Sequence, residues 1–139
     1  MKLTSSVVKE GGDMPDKYTR GGAKAGLTTV SPPIAWTGAP AGTKGFAIVG
    51  TTTSNTFFWA IVNIPGTATS LAEAVTGVGV EVHKFETPSE GGPGTFGKTL
   101  TLYALSGDVP AGATDATLAA ALKPLTLGTA VLNYNITVN

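Results

Sequence analysis

The stretch GFAIVGTTTSNTFFWAIVNI, from Gly45 to Ile64, carries the strongest indication of the fold. It contains two short runs, Gly45–Gly50 and Thr56–Ile64, that are rich in β-branched and aromatic residues and are bounded by Gly, Asn or Pro. Runs of this kind are typical of β-strands. Because FFWAIVNI is apolar at successive positions, both of its faces need cover, and we predict a central strand there.

Two further strands are predicted, at Lys98–Leu105 (KTLTLYAL) and Ala130–Val138 (AVLNYNITV). In the first of these, alternation puts Leu100, Leu102 and Ala104 on one face and threonine and tyrosine on the other. The chain also has 19 Gly and 9 Pro, which indicate many turns between extended segments. The pattern therefore favours a mainly β fold.

Helical signals are few. Thr114 or Asp115 can cap the stretch ATLAAALK, and Pro124 limits its extension. A second, shorter helix is predicted over Ser70–Val75, whereas the glycine-rich segment Glu86–Gly97 is predicted to be a loop. No linker divides the chain, so we expect one domain over residues 1–139 with one or two short helices.

Composition excludes several classes of function. With 9 Lys+Arg against 9 Asp+Glu, the chain lacks the basic excess that nucleic-acid binding needs. It has no Cys and a single His, so no disulfide framework, metal centre or cofactor is predicted. No apolar run is long enough to insert into a membrane and no signal core is present, so we expect a soluble, cytoplasmic protein.

Four segments carry a family resemblance: KLTSS near the start, SPPIAWTGAPAGTKGFAIV at 31–49, FFWAIVNIP at 57–65 and TLYAL at 101–105. In this order and spacing they resemble the phosphatidylethanolamine-binding protein (PEBP) family, in its bacterial Raf-kinase-inhibitor-like branch. The resemblance implies a β-sandwich with a large central sheet, a smaller sheet and a small pocket at one end that binds an anion such as phosphate. It also implies a homodimer, since relatives of this branch often pair.

The residues expected in that anion pocket are replaced. The family's Asp-Pro-Asp-x-Pro loop is replaced by GTTTSN at 50–55, and Phe58 stands where a His precedes Trp59. Counting back from LYAL, the second family His falls on Phe96, the Arg on Gly97 and the next aromatic on Lys98. The scaffold is retained and the phosphate site is degenerate.

Loss of both imidazoles removes hydrogen-bond donors and leaves apolar surface, so the pocket should not prefer phosphate. Two alternatives stay open. The phenylalanines fill the old cavity, which would leave an interaction module, or the pocket is open and binds an apolar or aromatic small molecule. The predicted ligand-binding residues for the open pocket are Thr52, Ser54, Phe58, Trp59, Phe96 and Lys98.

The leading hypothesis is a non-enzymatic small-molecule-binding or regulatory protein. The alternative is a biosynthetic enzyme of the cyclase or isomerase type, in which the same aromatic walls orient a neutral intermediate and Lys98 or His83 transfers a proton. His83 lies near Glu81 and Glu86, but an exposed polar residue on an edge strand or in a loop is the favoured interpretation. The P-loop string at Gly92–Thr99 precedes a predicted strand rather than a helix, so we treat it as accidental.

Overall fold

Two antiparallel sheets organise the protein in the computed structural model, which describes residues 1–19, 29–86 and 93–138. The large sheet has five strands, in the spatial order β6 (Val80–His83), β4 (Phe57–Pro65), β3 (Gly45–Thr52), β7 (Gly94–Leu105) and β8 (Thr126–Val138). The small sheet has three, in the order β1 (Lys2–Thr4), β2 (Ile34–Thr37) and β5 (Ser70–Leu71). The predicted mainly β fold with a large and a smaller sheet is confirmed.

The interior strands are the most apolar segments of the sequence. In β4 every residue from Phe58 to Val62 is buried, because its neighbours β3 and β6 cover its edges and both sheet faces are packed. The middle position itself belongs to β3, whose first six residues, Gly45 to Gly50, are all buried. The prediction of an interior strand at FFWAIVNI is thus confirmed, and β3 and β7 are the other two interior strands of this sheet.

Strand β7 starts earlier than predicted. It pairs with β8 from Gly94↔Val138 onward, so the predicted loop over Glu86–Gly97 is wrong at residues 94–97. Cross-strand pairing supplies partners for the backbone groups of this glycine-rich run, and this overrides its low intrinsic preference for strands. The rest of that predicted loop, residues 87–92, lies outside the described residues.

The large sheet has a packed core on each face. On one face, Trp36, Phe46 and Ile48 belong to a cluster between the two sheets. On the other, Val49 and Val62 belong to a smaller cluster beneath the single α-helix of the described chain, α1 (Asp115–Leu122). The two faces are therefore different environments, and side chains on opposite faces of the large sheet cannot line the same pocket between the sheets.

The helix forms where the sequence predicts it. Thr117 Oγ1 accepts a hydrogen bond from the Thr114 backbone N–H at 2.9 Å, which satisfies a donor at the helix start. Leu118 and Leu122, four residues apart, are buried against the sheet. In the described ranges no helix is long and apolar enough to cross a membrane.

The second predicted helix is wrong. Ser70 pairs with Ala35, and Leu71 with Ile34, so Ser70–Leu71 forms the short strand β5 at the edge of the small sheet. Hydrogen bonds to β2 give the backbone N–H and C=O groups of this segment partners, and a helix there would leave the backbone groups on that edge of β2 without partners. Among the described residues, a short 3-10 turn at Asp16–Tyr18 is the other helical element, and the sequence did not predict it.

Candidate functional site

A β-bulge in β4 sets the position of two predicted site residues. Gly50 pairs with Trp59 and Thr51 with Phe57, so Phe58 is one extra residue on β4 between these pairs. A bulge interrupts the strict alternation of side chains. As a result Phe58 and Trp59, although adjacent, both join the core cluster between the sheets.

Phe58 is a packed core residue. It is 1% exposed, and its ring makes an edge-to-face contact with Phe85, the centroids being 6.1 Å apart. Trp59, also 1% exposed, contacts the same Phe85 ring edge-on at 5.6 Å. Edge-to-face pairs are a favoured aromatic geometry. The place where the family resemblance expects an imidazole is therefore occupied by an aromatic cluster.

Gly50 makes room for the Phe58 ring. A Cβ added at Gly50 would lie 2.6 Å from Cε2 and 2.7 Å from Cζ of Phe58, which is closer than real Cβ contacts come. A glycine inside a strand often marks this kind of close approach. Neither Gly50 nor Phe85 was predicted as a site residue, although a glycine within an apolar strand is a signal that could have pointed to Gly50.

Phe96 and Lys98 lie on the same sheet face as this cluster. They alternate with Leu100 along β7, and all three point to the side between the sheets. Phe96 is half-buried, whereas Lys98 is 4% exposed. The Lys98 Nζ lies 5.9 Å from the Phe96 ring centroid and donates to the Gly97 carbonyl at 3.4 Å. An ammonium group over an aromatic face gains a cation–π attraction.

Thr52 and Ser54 have different surroundings. Thr52 stands opposite Lys98 in the β3–β7 register, so it borders the aromatic site. Its Oγ1 accepts from the backbone N–H groups of Ser54 and Thr56, both at 3.2 Å, so this hydroxyl holds the turn. Ser54 is exposed in that turn. The structure thus groups Phe58, Phe96 and Lys98 on one face, places Thr52 at the border, and leaves Ser54 outside the group.

His83 lies on the other face of the sheet. It pairs with Ala60, which belongs to the cluster beneath α1, and its Nδ1 is 2.6 Å from Asp115 at the helix start. It is therefore an edge-strand residue as predicted, but its side chain is only 19% exposed and has a carboxylate partner that sequence spacing did not reveal. A proton-transfer role for His83 beside Phe58 is inconsistent with this placement.

The charge state of His83 follows from its neighbours. Burial lowers the pKa of the imidazole, but hydrogen bonds and charges from Asp115 and Glu86 outweigh burial and raise the pKa above its usual value. Glu86 Oε1 lies 3.4 Å from Nε2. Across the described ranges, no three His, Asp or Glu side chains group closely enough to hold a metal ion.

Comparison with known proteins gives one family. The family model described as phosphatidylethanolamine-binding protein matches residues 4–137. Two Escherichia coli K12 proteins match part of the chain. UPF0098 protein YbhB is 33% identical over 70 residues, which cover 47% of this chain and 44% of YbhB. UPF0098 protein YbcL is 33% identical over 75 residues, 50% of this chain and 41% of YbcL. The aligned region thus spans less than half the length of these curated relatives.

Solved structures share the fold along the whole chain. A homologue described as a putative PEBP, CT736 of Chlamydia trachomatis D/UW-3/CX, superposes with a TM-score of 0.86 at 19% identity, covering 99% of this chain and 97% of that one. The crystal structure of YbcL from E. coli gives a TM-score of 0.79 at 22% identity, covering 99% and 98%. At these identities the likeness shows the fold alone.

Proposed function

Because this chain belongs to the phosphatidylethanolamine-binding protein family, we propose that it is a non-enzymatic small-molecule-binding or regulatory protein whose phosphate pocket has become an apolar, aromatic one. The observation that carries the proposal is the packing of Phe58, buried against Gly50 and in edge contact with Phe85. The family resemblance aligns this position with a phosphate-binding imidazole. A phenyl ring locked there supplies no hydrogen-bond donor.

Phosphate binding is disfavoured on physical grounds. A phosphate anion gives up strong hydration when it enters a pocket, and only donors or charges can replace that hydration. Phe58 and Phe96 have neither. Lys98 carries a charge, but one ammonium group over the Phe96 ring does not replace the pair of imidazoles that the family uses. We therefore expect binding of phosphate to be weak.

The ligand we propose is a neutral apolar or aromatic molecule that contacts Phe96. Phe58 and Trp59 are fully buried and offer a ligand little surface, while Phe96 is half-buried and keeps part of its surface accessible. Thr52 at the border supplies a polar group, although its hydroxyl already accepts two turn hydrogen bonds. The open part of the pocket would thus be an aromatic wall beside Lys98.

A fluorescence titration with N-phenyl-1-naphthylamine, a neutral aromatic dye, tests this assignment. We expect the wild-type protein to bind the dye, and we expect phosphate in roughly millimolar excess not to displace it. Phe96→Ala should weaken dye binding by about tenfold, because it removes an aromatic contact. Val131→Ala is the control, because Val131 is an exposed apolar residue on the opposite face of the same sheet and does not line the site proposed here. Equal losses in both variants would contradict the proposed location.

A gain-of-function variant tests the alignment itself. Phe58→His combined with Phe96→His restores the two imidazoles that the resemblance implies. We expect the double variant, shown to be folded by circular dichroism, to bind inorganic phosphate or a phosphomonoester at millimolar concentration, whereas the wild type does not. A folded double variant with no phosphate binding would show that these two positions do not face a common anion site.

One observation favours the enzymatic alternative of a cyclase or isomerase-type reaction. Lys98 is 4% exposed and its Nζ lies 5.9 Å from the Phe96 ring centroid, which puts a group that can carry a proton beside the proposed aromatic wall. If the pocket is catalytic, Lys98→Met abolishes turnover of a bound neutral substrate and leaves dye binding intact. If Lys98 only lines the wall, the variant changes affinity and no reaction is lost.

Two other expectations belong to this proposal. We propose that the protein forms a homodimer, as the family resemblance implies. Sedimentation equilibrium should give twice the 13.9 kDa mass of the chain, and the single-chain mass would contradict the dimer. We also propose a cytoplasmic location, on the composition and the sequence alone. Cell fractionation that finds the protein in a membrane or external fraction would contradict it.

A further inference from the structure

A groove of about 510 Å³ opens on the helix side of the large sheet, away from Phe58 and Phe96. Its floor is formed by Thr51 of β3 with Thr99 and Thr101 of β7, and Ala119 of α1 forms one wall. Its volume falls within the range of roughly 300–1,000 Å³ that is usual for small-molecule sites. The aromatic pocket and this groove are on opposite faces of the same sheet.

The register of the sheet brings the hydroxyl groups of the floor together. Thr51 pairs with Thr99 and, on its other side, with Phe57. In the next row Val49 pairs with Thr101. Cross-strand partners have side chains about 5 Å apart, so these side chains form a continuous floor in which an aromatic ring borders the threonines. The short helix α1 covers the far end of this face and leaves the threonine end open.

The hydroxyls of this floor are available to a ligand. Within the described part of the chain, no hydrogen bond uses the side chains of Thr51, Thr53 or Thr101, and none uses the hydroxyl of Tyr103. Thr99 donates to Asn133 Oδ1 at 2.8 Å and keeps its acceptor lone pairs. Half-buried threonines on a strand ordinarily bind water in such a position, and a ligand hydroxyl can replace that water.

The groove has no charge to offer. The residues lining it are threonine, asparagine, tyrosine or apolar, and burial raises the pKa of the Tyr103 phenol, which stays neutral and able to donate. An anion or a cation would lose hydration there without an ionic partner. The lining also includes the apolar groups of Phe57 and Leu122. A fitting ligand is neutral, with both a hydroxylated edge and an apolar face.

We propose that this groove is a second binding site, separate from the aromatic pocket, and that it takes a neutral sugar ring. Such a ring presents hydroxyls at its edge, which match the unpaired threonine hydroxyls, and C–H groups on its face, which match the Phe57 and Tyr103 rings. The site does not depend on the proposed phosphate-to-aromatic conversion, because its floor threonines lie on the other face of the sheet from Phe58 and Phe96. The two sites meet only at the turn, where Thr52 borders the aromatic pocket and also lines this groove.

Methyl-detected NMR with methyl β-D-glucopyranoside as the probe tests the site. We expect millimolar additions to shift the methyl signals of Thr51, Thr99 and Thr101, and to leave Thr4 and Thr37 of the small sheet unchanged. Thr101→Val removes a hydroxyl with no protein partner and keeps the β-branched shape, so it should weaken binding about fivefold without loss of stability. No shift at the floor threonines, or equal shifts at Thr4, would overturn the proposal.

Two helix variants supply a steric test with a matched control. Ala119 lines the groove, and the neighbouring Ala120 does not, although both are exposed on α1. We expect Ala119→Trp to abolish the shifts by filling the groove, and Ala120→Trp to leave them intact. Equal behaviour of the two folded variants would show that the sugar binds elsewhere, and the proposed aromatic pocket would be untouched by that result.

Discussion

Replacing Gly50 by alanine isolates the contact on which the aromatic site depends. The new methyl group would lie 2.6 Å from Phe58 Cε2, and the ring has little freedom to move because it is buried and held against Phe85. Overpacking of a filled core costs about 1–3 kcal/mol in free energy of unfolding. Without the clash, a glycine-to-alanine change in a strand would stabilise the protein by about 0.4–1 kcal/mol. The sign of the effect therefore reports the position of the ring.

A double-mutant cycle in urea measures this contact. Phe58→Leu removes both ring atoms nearest the added methyl group, so Gly50→Ala should cost about 1–3 kcal/mol in the wild type and close to nothing, or a small gain, in the Phe58→Leu background. Gly97→Ala is the control within the same sheet, because its nearest side-chain atom outside the adjacent residues, Thr53 Cγ2, is 3.4 Å away. The same cost for Gly50→Ala in both backgrounds would refute the packing described here.

Three further predictions concern stability and ionisation. Asn63 has a positive φ of 56°, and its side chain forms hydrogen bonds with both the N–H and the carbonyl of Val109, at 2.8 and 3.0 Å. Asn63→Ala should therefore lower the free energy of unfolding, measured by urea titration, by about 2–3 kcal/mol. A loss below about 0.5 kcal/mol would contradict this role. Because folding raises the pKa of His83, protonation of this residue stabilises the protein below pH 6.5, and the stabilisation is lost as pH rises through the raised pKa. Thermal unfolding across that pH range should show this loss of stability in the wild type and not in His83→Gln. Hydrogen bonding to Glu73, then burial, raises the pKa of Tyr18 to about 12. An NMR titration of the labelled phenol should find this pKa moved back toward 10 in Glu73→Ala, which removes the acceptor, and an unchanged pKa would contradict the bond.

The strands could be predicted where the sequence alternates or is apolar without interruption. Leu100, Leu102 and Ala104 are buried in β7, and the FFWAIV run is an interior strand, because burial on one or both faces dictates residue type directly. The family resemblance then supplied the arrangement of the two sheets, which periodicity alone does not encode. The family match over residues 4–137 confirms that resemblance.

Pairing and bulges could not be predicted, because they depend on residues far apart in sequence. Residues Gly94–Gly97 are extended because they pair with β8, and Ser70–Leu71 is a strand because it pairs with β2. The bulge at Phe58 places two consecutive aromatic residues on one face, which a strict two-residue period forbids.

The candidate site was predicted in part for the same reason. Alignment with the family pointed to Phe58, Phe96 and Lys98, which share a face of the sheet. The same alignment, through the GTTTSN segment, pointed to Ser54, which is exposed in the turn. Phe85 lies in a segment after β6 that has no recognisable motif. Its role follows only from the ring contacts with Phe58 and Trp59 in the folded protein.

Native mass spectrometry of freshly purified protein tests whether the proposed aromatic pocket has replaced a phosphate site. We expect a mass shift from a discrete bound compound that dissociates on collisional activation and is identified, after solvent extraction, as neutral and apolar or aromatic. Substitution Phe96→Ala should reduce the bound fraction. A protein that carries phosphate or a phosphomonoester instead, or that is empty and gains thermal stability from millimolar phosphate, would contradict the proposed replacement.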